Sequence, residues 1–224
     1  MERKIIRVAI DGPAAAGKST VAKIVAQKQA FVYIDTGAMY RAVTLKVLNN
    51  KIDPNNEDDI EKMLASTTVA FDTSNQQQIV LLDGQDVTEA IRMQDVTSLV
   101  SKIAQYKSVR EKLTIEQKAM ANNQSVVMDG RDIGTAVIPE AELKIFLIAS
   151  VEERAQRRHE ENVKRGFPSE YEAIVEDIKA RDQQDYNRTI SPLTKADDAI
   201  ELDTTSLSID AVAQKINDLI VSIQ

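Results

Sequence analysis

Ile5-Ile6-Arg7-Val8-Ala9-Ile10-Asp11-Gly12-Pro13-Ala14-Ala15-Ala16-Gly17-Lys18-Ser19-Thr20 is the stretch on which the fold turns. Its first six residues are β-branched and nearly continuous in apolar character, the pattern of a strand buried on both faces of a parallel sheet. Residues 12–19 match the spacing Gly-x4-Gly-Lys-Ser/Thr. Residues 19–29 then place Val21, Ala22, Val25 and Ala26 on one face of a helix. Strand, glycine-rich turn and helix in that order are the context this motif needs. Small residues let the backbone curl so that successive N–H groups and the helix N-terminus point at phosphate oxygens. Lys18 is then placed to reach the β and γ phosphates of a bound ATP, and Ser19 to ligate Mg²⁺. Gly12, Pro13, Ala14, Ala15, Ala16, Gly17, Lys18, Ser19 and Thr20 form the expected ATP-binding set.

Outward from this unit, short apolar runs at 31–35, 125–129, 143–149 and 199–203 read as four further strands, mostly separated by helical segments. That alternation predicts an α/β fold with a five-stranded parallel sheet. The middle of the chain departs from it. Residues 68–72 and 78–83 alternate like exposed antiparallel strands joined by the polar turn Thr73-Ser74-Asn75-Gln76, and suggest a small separate lobe. Helical segments flank it at 38–49 and from about 97 to 122. No internal repeat or low-complexity tract is visible.

The 224 residues carry 28 basic and 35 acidic side chains, a formal charge of -7, so the surface as a whole should repel nucleic acid. A phosphorylated ligand must therefore meet local clusters of arginine. The chain has no cysteine, which excludes disulfides and thiolate metal sites. Asp11, Gly12 and Pro13 interrupt the first apolar run before a signal-peptide core could form, and no run approaches the ~20 apolar residues of a membrane span. A cytoplasmic protein with no nucleic-acid or membrane partner is expected, acting as a monomer.

Val126-Val127-Met128-Asp129 ends a strand with a carboxylate, a position from which such proteins hold Mg²⁺ directly or through water; on its own the run is also ordinary strand punctuation. Gly130-Arg131-Asp132 follows at a strand's C-terminal end, where α/β folds place ligands, and tips the reading towards a site, with a surface ion pair as the alternative. Arg154, Arg157 and Arg158 share one face of a charged helix over 151–165 and could clamp a transferring phosphoryl group. The neighbouring Glu152, Glu153, Glu160 and Glu161 make a solvated, salt-bridged helix an equal alternative. His159, the only histidine, reads as a surface residue. Arg181, Asp185 and Arg188 fall on one helical stripe, open to a ligand or to a shared surface ion pair. Val212, Ile216, Leu219, Ile220 and Ile223 make the last helix a packing element. Asn50-Lys51-Ile52-Asp53 imitates a guanine-reading motif, but it ends a helix before Pro54 instead of a buried strand, and is set aside.

The segments Asp11 to Thr20, Asp35-Thr36-Gly37-Ala38-Met39-Tyr40-Arg41, Asp129-Gly130-Arg131-Asp132-Ile133-Gly134, Ser150-Val151-Glu152-Glu153-Arg154 and Arg181-Asp182 through Pro192 together resemble the bacterial cytidylate kinases, nearly end to end. The resemblance implies a P-loop kinase core over 1–36 and 113–224 with a helical lid at about 152–167. It implies a CMP-binding lobe over 37–112 with a strand-rich insert at about 60–100. It implies transfer of the ATP γ-phosphoryl group to CMP, and also to dCMP. Arg41 and Arg131 would hold the acceptor's phosphate; Thr36, Arg110, Asp132 and Arg188 would surround the cytosine; Ser101, Arg181 and Asp185 would face the sugar. Lys18, Arg131, Arg154, Arg157 and Arg158 would be catalytic, with Mg²⁺ on Ser19 and, through water, Asp129. Kinases for uridylate, adenylate or shikimate are the nearest alternatives, and Arg110 and Asp132 speak against them. A non-catalytic nucleotide switch is disfavoured by the number of arginines available to a second phosphate.

Overall fold

The computed structural model describes residues 4–72, 78–164 and 166–224, which divide into two compact units, Met1–Ile34 with Ala121–Gln224, and Asp35–Met120. The expected turn at 73–76 lies outside the described residues.

The first unit is built on β1 (Arg7–Asp11), with β2 (Val32–Asp35), β6 (Val126–Gly130), β7 (Leu143–Ile148) and β8 (Ile200–Asp203) in the sheet order β2-β6-β1-β7-β8. β1 pairs in parallel with β6 and β7, and β7 in parallel with β8. The chain thus passes to one side of β1 and later to the other, and the C-terminal edge of β1 is where such a sheet opens a crevice for ligands. α1 (Lys18–Gln29) and α8 (Ile209–Ile223) cover one face, burying Val21, Val25, Val212, Ile216 and Ile220 against Val8, Ile10, Ile145 and Leu147. The apolar spacing of both helices therefore does what the sequence pattern predicts. α6 (Val151–Lys164) and α7 (Tyr171–Asn187) form an antiparallel pair.

The second unit holds α2 (Thr36–Asn49), α3 (Glu57–Leu64), β3 (Val69–Asp72), β4 (Ile79–Leu82), β5 (Gln85–Asp86), α4 (Gln94–Ile103) and α5 (Lys107–Ala121). Asp35 caps α2 by accepting from the Ala38 amide at 2.9 Å, and Asn56 caps α3 ahead of Glu57, Asp58 and Asp59, which suit the positive end of the helix. The antiparallel pair β3–β4 is present within the second unit, and it is half-buried where the sequence pattern predicts an exposed pair. Val69, Val80 and Leu82 point into one core with Met39, Val43, Val47, Ile60 and Ile103. The expected helix over 97–122 is two helices. The Arg110 guanidinium donates to the Ala104 carbonyl at 3.0 Å, satisfying an end carbonyl of α4 where the chain turns into α5. Lys51 follows α2 with φ 54, so the Asn50–Asp53 stretch is the turn that its sequence context implied. No helix among the described residues is long and apolar enough to cross a membrane.

Candidate active site

The turn after β1 hugs the sheet. Gly12 has φ 146, and a Cβ there would sit 2.1 Å from the Leu147 carbonyl oxygen, so only glycine fits. Gly17 leads into α1, and Lys18 folds back to donate from Nζ to the Pro13 carbonyl at 2.6 Å. Lys18 is only 5% exposed. Burial, with the Arg131 charge beside it, pushes its ammonium well below the ordinary lysine value, while Asp129, Asp185 and Asp11 pull the other way.

β6 delivers the opposing groups. Asp129 is buried and accepts from the Ser19 hydroxyl on Oδ2 and from the Tyr33 hydroxyl on Oδ1, both at 2.7 Å. A hydroxyl and a carboxylate at that separation are hard oxygen donors of the kind Mg²⁺ takes when phosphates and water complete its shell. The two residues named for the metal therefore do come together and fit it. Arg131 donates from Nε to Asp185 Oδ2 at 2.8 Å and from Nη1 to the Gly130 carbonyl at 3.3 Å. Burial works against its charge, but the Asp185, Asp129 and Asp182 carboxylates together outweigh burial and raise the guanidinium above its ordinary value. For Asp185 the balance is the same in mirror image. Burial would raise its pKa, yet Arg131, Arg181 and Arg188 hold it below the usual carboxylate range.

Arg188 does not continue the helical stripe. α7 ends at Asn187, Arg188 is extended (φ -65, ψ 143), and its guanidinium reaches Asp185 Oδ1 from beyond the helix end at 3.6 Å. Pro192 explains part of this, because it disfavours helix at Ser191, whose φ is 47, and the Leu193 amide then bonds back to the Asp185 carbonyl. Arg181, Asp185 and Arg188 still act as one electrostatic group with Arg131.

The three arginines of α6 part company. Arg154 is buried and makes four hydrogen bonds inside its unit: Nε to the Ala149 carbonyl, Nη1 to the Ala14 carbonyl and Asp182, and Nη2 to Asp182 at 2.6 Å. The bond to Ala14 ties it to the backbone of the phosphate loop. Arg157 bonds Glu153 and both the hydroxyl and the carbonyl of Thr204, with Nη1 3.9 Å from where a Gly17 Cβ would lie. Among the described residues Arg158 pairs with Glu161, at 3.6 Å. His159 is half-buried, bonded to the Ser169 hydroxyl at 2.8 Å and set edge-on to Tyr171, so it ties α6 to α7 and is not a plain surface residue.

In the second unit Thr36 is buried at the start of α2, and Arg41 donates to Thr97 Oγ1 of α4 at 2.8 Å. Ser101 is half-buried on the same helix. Arg110 lies over the Tyr40 ring at 5.4 Å. Sequence reasoning missed Tyr33, Asp182, Thr97 and Tyr40. Their partners lie 28 to 96 positions away for the first three groups bonded here, and nothing local to them signals the contact.

A glycine-rich turn between a central parallel strand and a helix, with a buried lysine, a serine–aspartate pair and arginines about one carboxylate, defines a P-loop kinase. The cytidylate kinase family model matches residues 8–222. The chain is 54% identical over 218 residues to a cytidylate kinase of Geobacillus sp. (strain WCH70), covering 97% of each chain, and 56% identical over 216 residues to that of Oceanobacillus iheyensis, covering 96% of this chain and 94% of the relative. A crystal structure of an uncharacterized protein from Eubacterium ventriosum, 13% identical, superposes with a TM-score of 0.53 over 98% of this chain and 99% of that one, a likeness of fold alone. The chain belongs to the cytidylate kinase family.

Proposed function

We propose that this chain transfers the γ-phosphoryl group of ATP to CMP, and to dCMP, giving ADP and the pyrimidine diphosphate. The observation that carries the reading is that Lys18 and Arg131, from different elements, stand within electrostatic reach of each other and of Asp129 and Asp185. Two cations held so close are stable together only with anions at hand, and a pair of phosphates supplies more of them.

The phosphate loop, Gly12 to Thr20, presents backbone amides to ATP, and Lys18 leaves the Pro13 carbonyl for the β and γ phosphates. Ser19 and Asp129, the latter through water, would hold Mg²⁺, which neutralises charge on the β and γ oxygens when bound. Arg131 and Arg41 take the acceptor's phosphate. Its oxygen is already anionic at neutral pH, so no strong base is required, and catalysis consists of positioning and charge stabilisation. Asp132 accepts from the cytosine N4 amino group, beside Arg110, Arg188 and Thr36. Ser101, Arg181 and Asp185 are assigned to the sugar. Uracil presents an acceptor where cytosine presents that donor, so CMP should exceed UMP by about 1–3 kcal/mol in transition-state stabilisation. Residues 37–112 are assigned to CMP, and the segment at about 152–167, with Arg157 and Arg158, to a lid that excludes water. Small molecules are the only partners required, in the cytoplasm and with the chain as a monomer.

Coupled ADP release measured with CMP, dCMP, UMP, AMP and GMP as acceptors tests this. Turnover should be high with CMP and dCMP and at least about fivefold lower in kcat/KM with UMP. ADP release that is indifferent to the acceptor would defeat the reading.

A further inference from the structure

Asp11 ends β1 one residue before the phosphate loop, and its carboxylate is engaged by two backbone amides that follow β6. Oδ1 accepts from the Ile133 amide at 2.9 Å and Oδ2 from the Gly134 amide at 2.7 Å. These two N–H groups open the π-helical turn Ile133–Val137, whose first internal bonds run from Ala136 and Val137 back to the Asp132 carbonyl. The leading amides of any helical turn have no partner within it, and here they are buried, so each must find an acceptor elsewhere. Asp11 supplies both from another strand. Space at this contact is tight: a Cβ on Gly134 would lie 3.4 Å from Asp11 Oδ2 and 3.2 Å from Lys144 Cδ. The two residues just before the clamped amides are Arg131 and Asp132.

We propose that Asp11 is a positioning residue for base selection: by gripping the amides of Ile133 and Gly134 it fixes the turn that presents Arg131 and Asp132 to the nucleotide. The idea rests on Asp132 reading cytosine. Asp11 touches neither substrate in this scheme. A loosened turn lets Asp132 drift from the N4 amino group, and discrimination against uracil falls while the phosphate loop keeps its own hydrogen bonds.

The charge state of Asp11 adds a second handle. Its pKa is raised to about 6: burial raises it most, the Gly134 and Ile133 amides partly offset this, Asp132 adds to it, and Lys18 opposes it. Lys144 also lies beside this contact, passes its stem along Gly134 and commits its ammonium to Asp198. Protonation removes one of the two acceptors, so selectivity should decline as pH falls through about 6. Global stability should move the other way in that window. Between the ordinary aspartate value of 3.8 and about 6 the folded state binds more protons at Asp11 than the unfolded chain, so lowering the pH favours folding at this group. A loss of selectivity there is not a loss of fold.

The test is the ratio of kcat/KM for CMP to that for UMP, in which the shared ionisation of the two phosphates cancels, measured from pH 5 to 8 for the wild-type chain, Asp11→Asn and Gly134→Ala, with thermal unfolding alongside. For Asp11→Asn at pH 7.5 the ratio should fall about tenfold, with KM for ATP changing far less. Its pH profile should be flat where that of the wild type bends. Gly134→Ala, which crowds the same carboxylate, should shift the ratio in the same direction. A folded Asp11→Asn chain with wild-type selectivity would overturn the inference, as would parallel losses for CMP and ATP. Should Asp11→Asn fail to fold, a wild-type ratio unchanged from pH 5 to 8 would overturn it equally. A wild-type chain that does not prefer CMP over UMP would instead remove the base-reading role of Asp132 itself.

Discussion

α7 anchors two arginine–aspartate pairs one turn apart, and they are built for different ends. Asp182 takes Arg154 in a two-point contact, and the rest of that guanidinium is bonded to carbonyls of the phosphate loop and of the residue after β7; the side chain of Arg154 is 4% exposed. Asp185 takes Arg131 through Nε, the side chain of Arg131 is 20% exposed, and Arg181 and Arg188 share the same carboxylate. A guanidinium whose donors end inside the protein fixes backbone. One that keeps an open edge beside Lys18 and the Ser19–Asp129 pair can hand that edge to a phosphate. The difference teaches that an arginine's contribution here is set by where its remaining N–H groups point, not by its place in a charged helix.

Substitutions separate the two roles. The largest effect is expected for Arg154→Ala, which strands the half-buried Asp182 carboxylate and unties the Ala14 carbonyl; breaking such a pair costs about 3–5 kcal/mol of folding stability, readable from denaturant unfolding. A loss in activity without a loss in stability would place Arg154 with the phosphate-binding set instead. Next comes Arg131→Ala, expected to lower kcat/KM for CMP by about 10²- to 10³-fold, the range seen when one charge-stabilising donor is removed, with ATP binding by calorimetry largely kept. Equal loss of both ligands would merge the two pairs into one structural role. The smallest stability change belongs to Arg158→Ala. Its 3.6 Å ion pair with Glu161 is exposed, so unfolding should move by less than about 1 kcal/mol. Any fall in turnover of that variant then reports on the lid alone.

The same contrast explains what could be read from the chain. The strand–loop–helix at the N-terminus is legible because its requirements are local: a buried strand, a Gly12 that must approach Leu147, a helix that starts at Lys18. Asp129 is legible as the carboxylate at the end of a strand. The braces are not, because each joins residues distant in sequence. Asp11 meets Ile133 and Gly134, Tyr33 meets Asp129, and Asp182 meets Arg154, and no spacing rule pairs them. β5 is two residues long, too short for alternation to show. At the break between α4 and α5 Arg110 turns back to the Ala104 carbonyl, a side-chain contact that helix propensity does not record. The end of α7 did have a signal in Ser191-Pro192, which the i, i+4, i+7 spacing of Arg181, Asp185 and Arg188 outweighed.

Phosphoryl transfer by a lysine-centred cluster is tested most directly by Lys18→Ala, assayed for ADP release at saturating ATP and CMP after its unfolding curve has been matched to the wild type. Turnover should drop by about 10²- to 10³-fold with the fold retained. A folded Lys18→Ala chain that releases ADP at close to the wild-type rate would contradict the account.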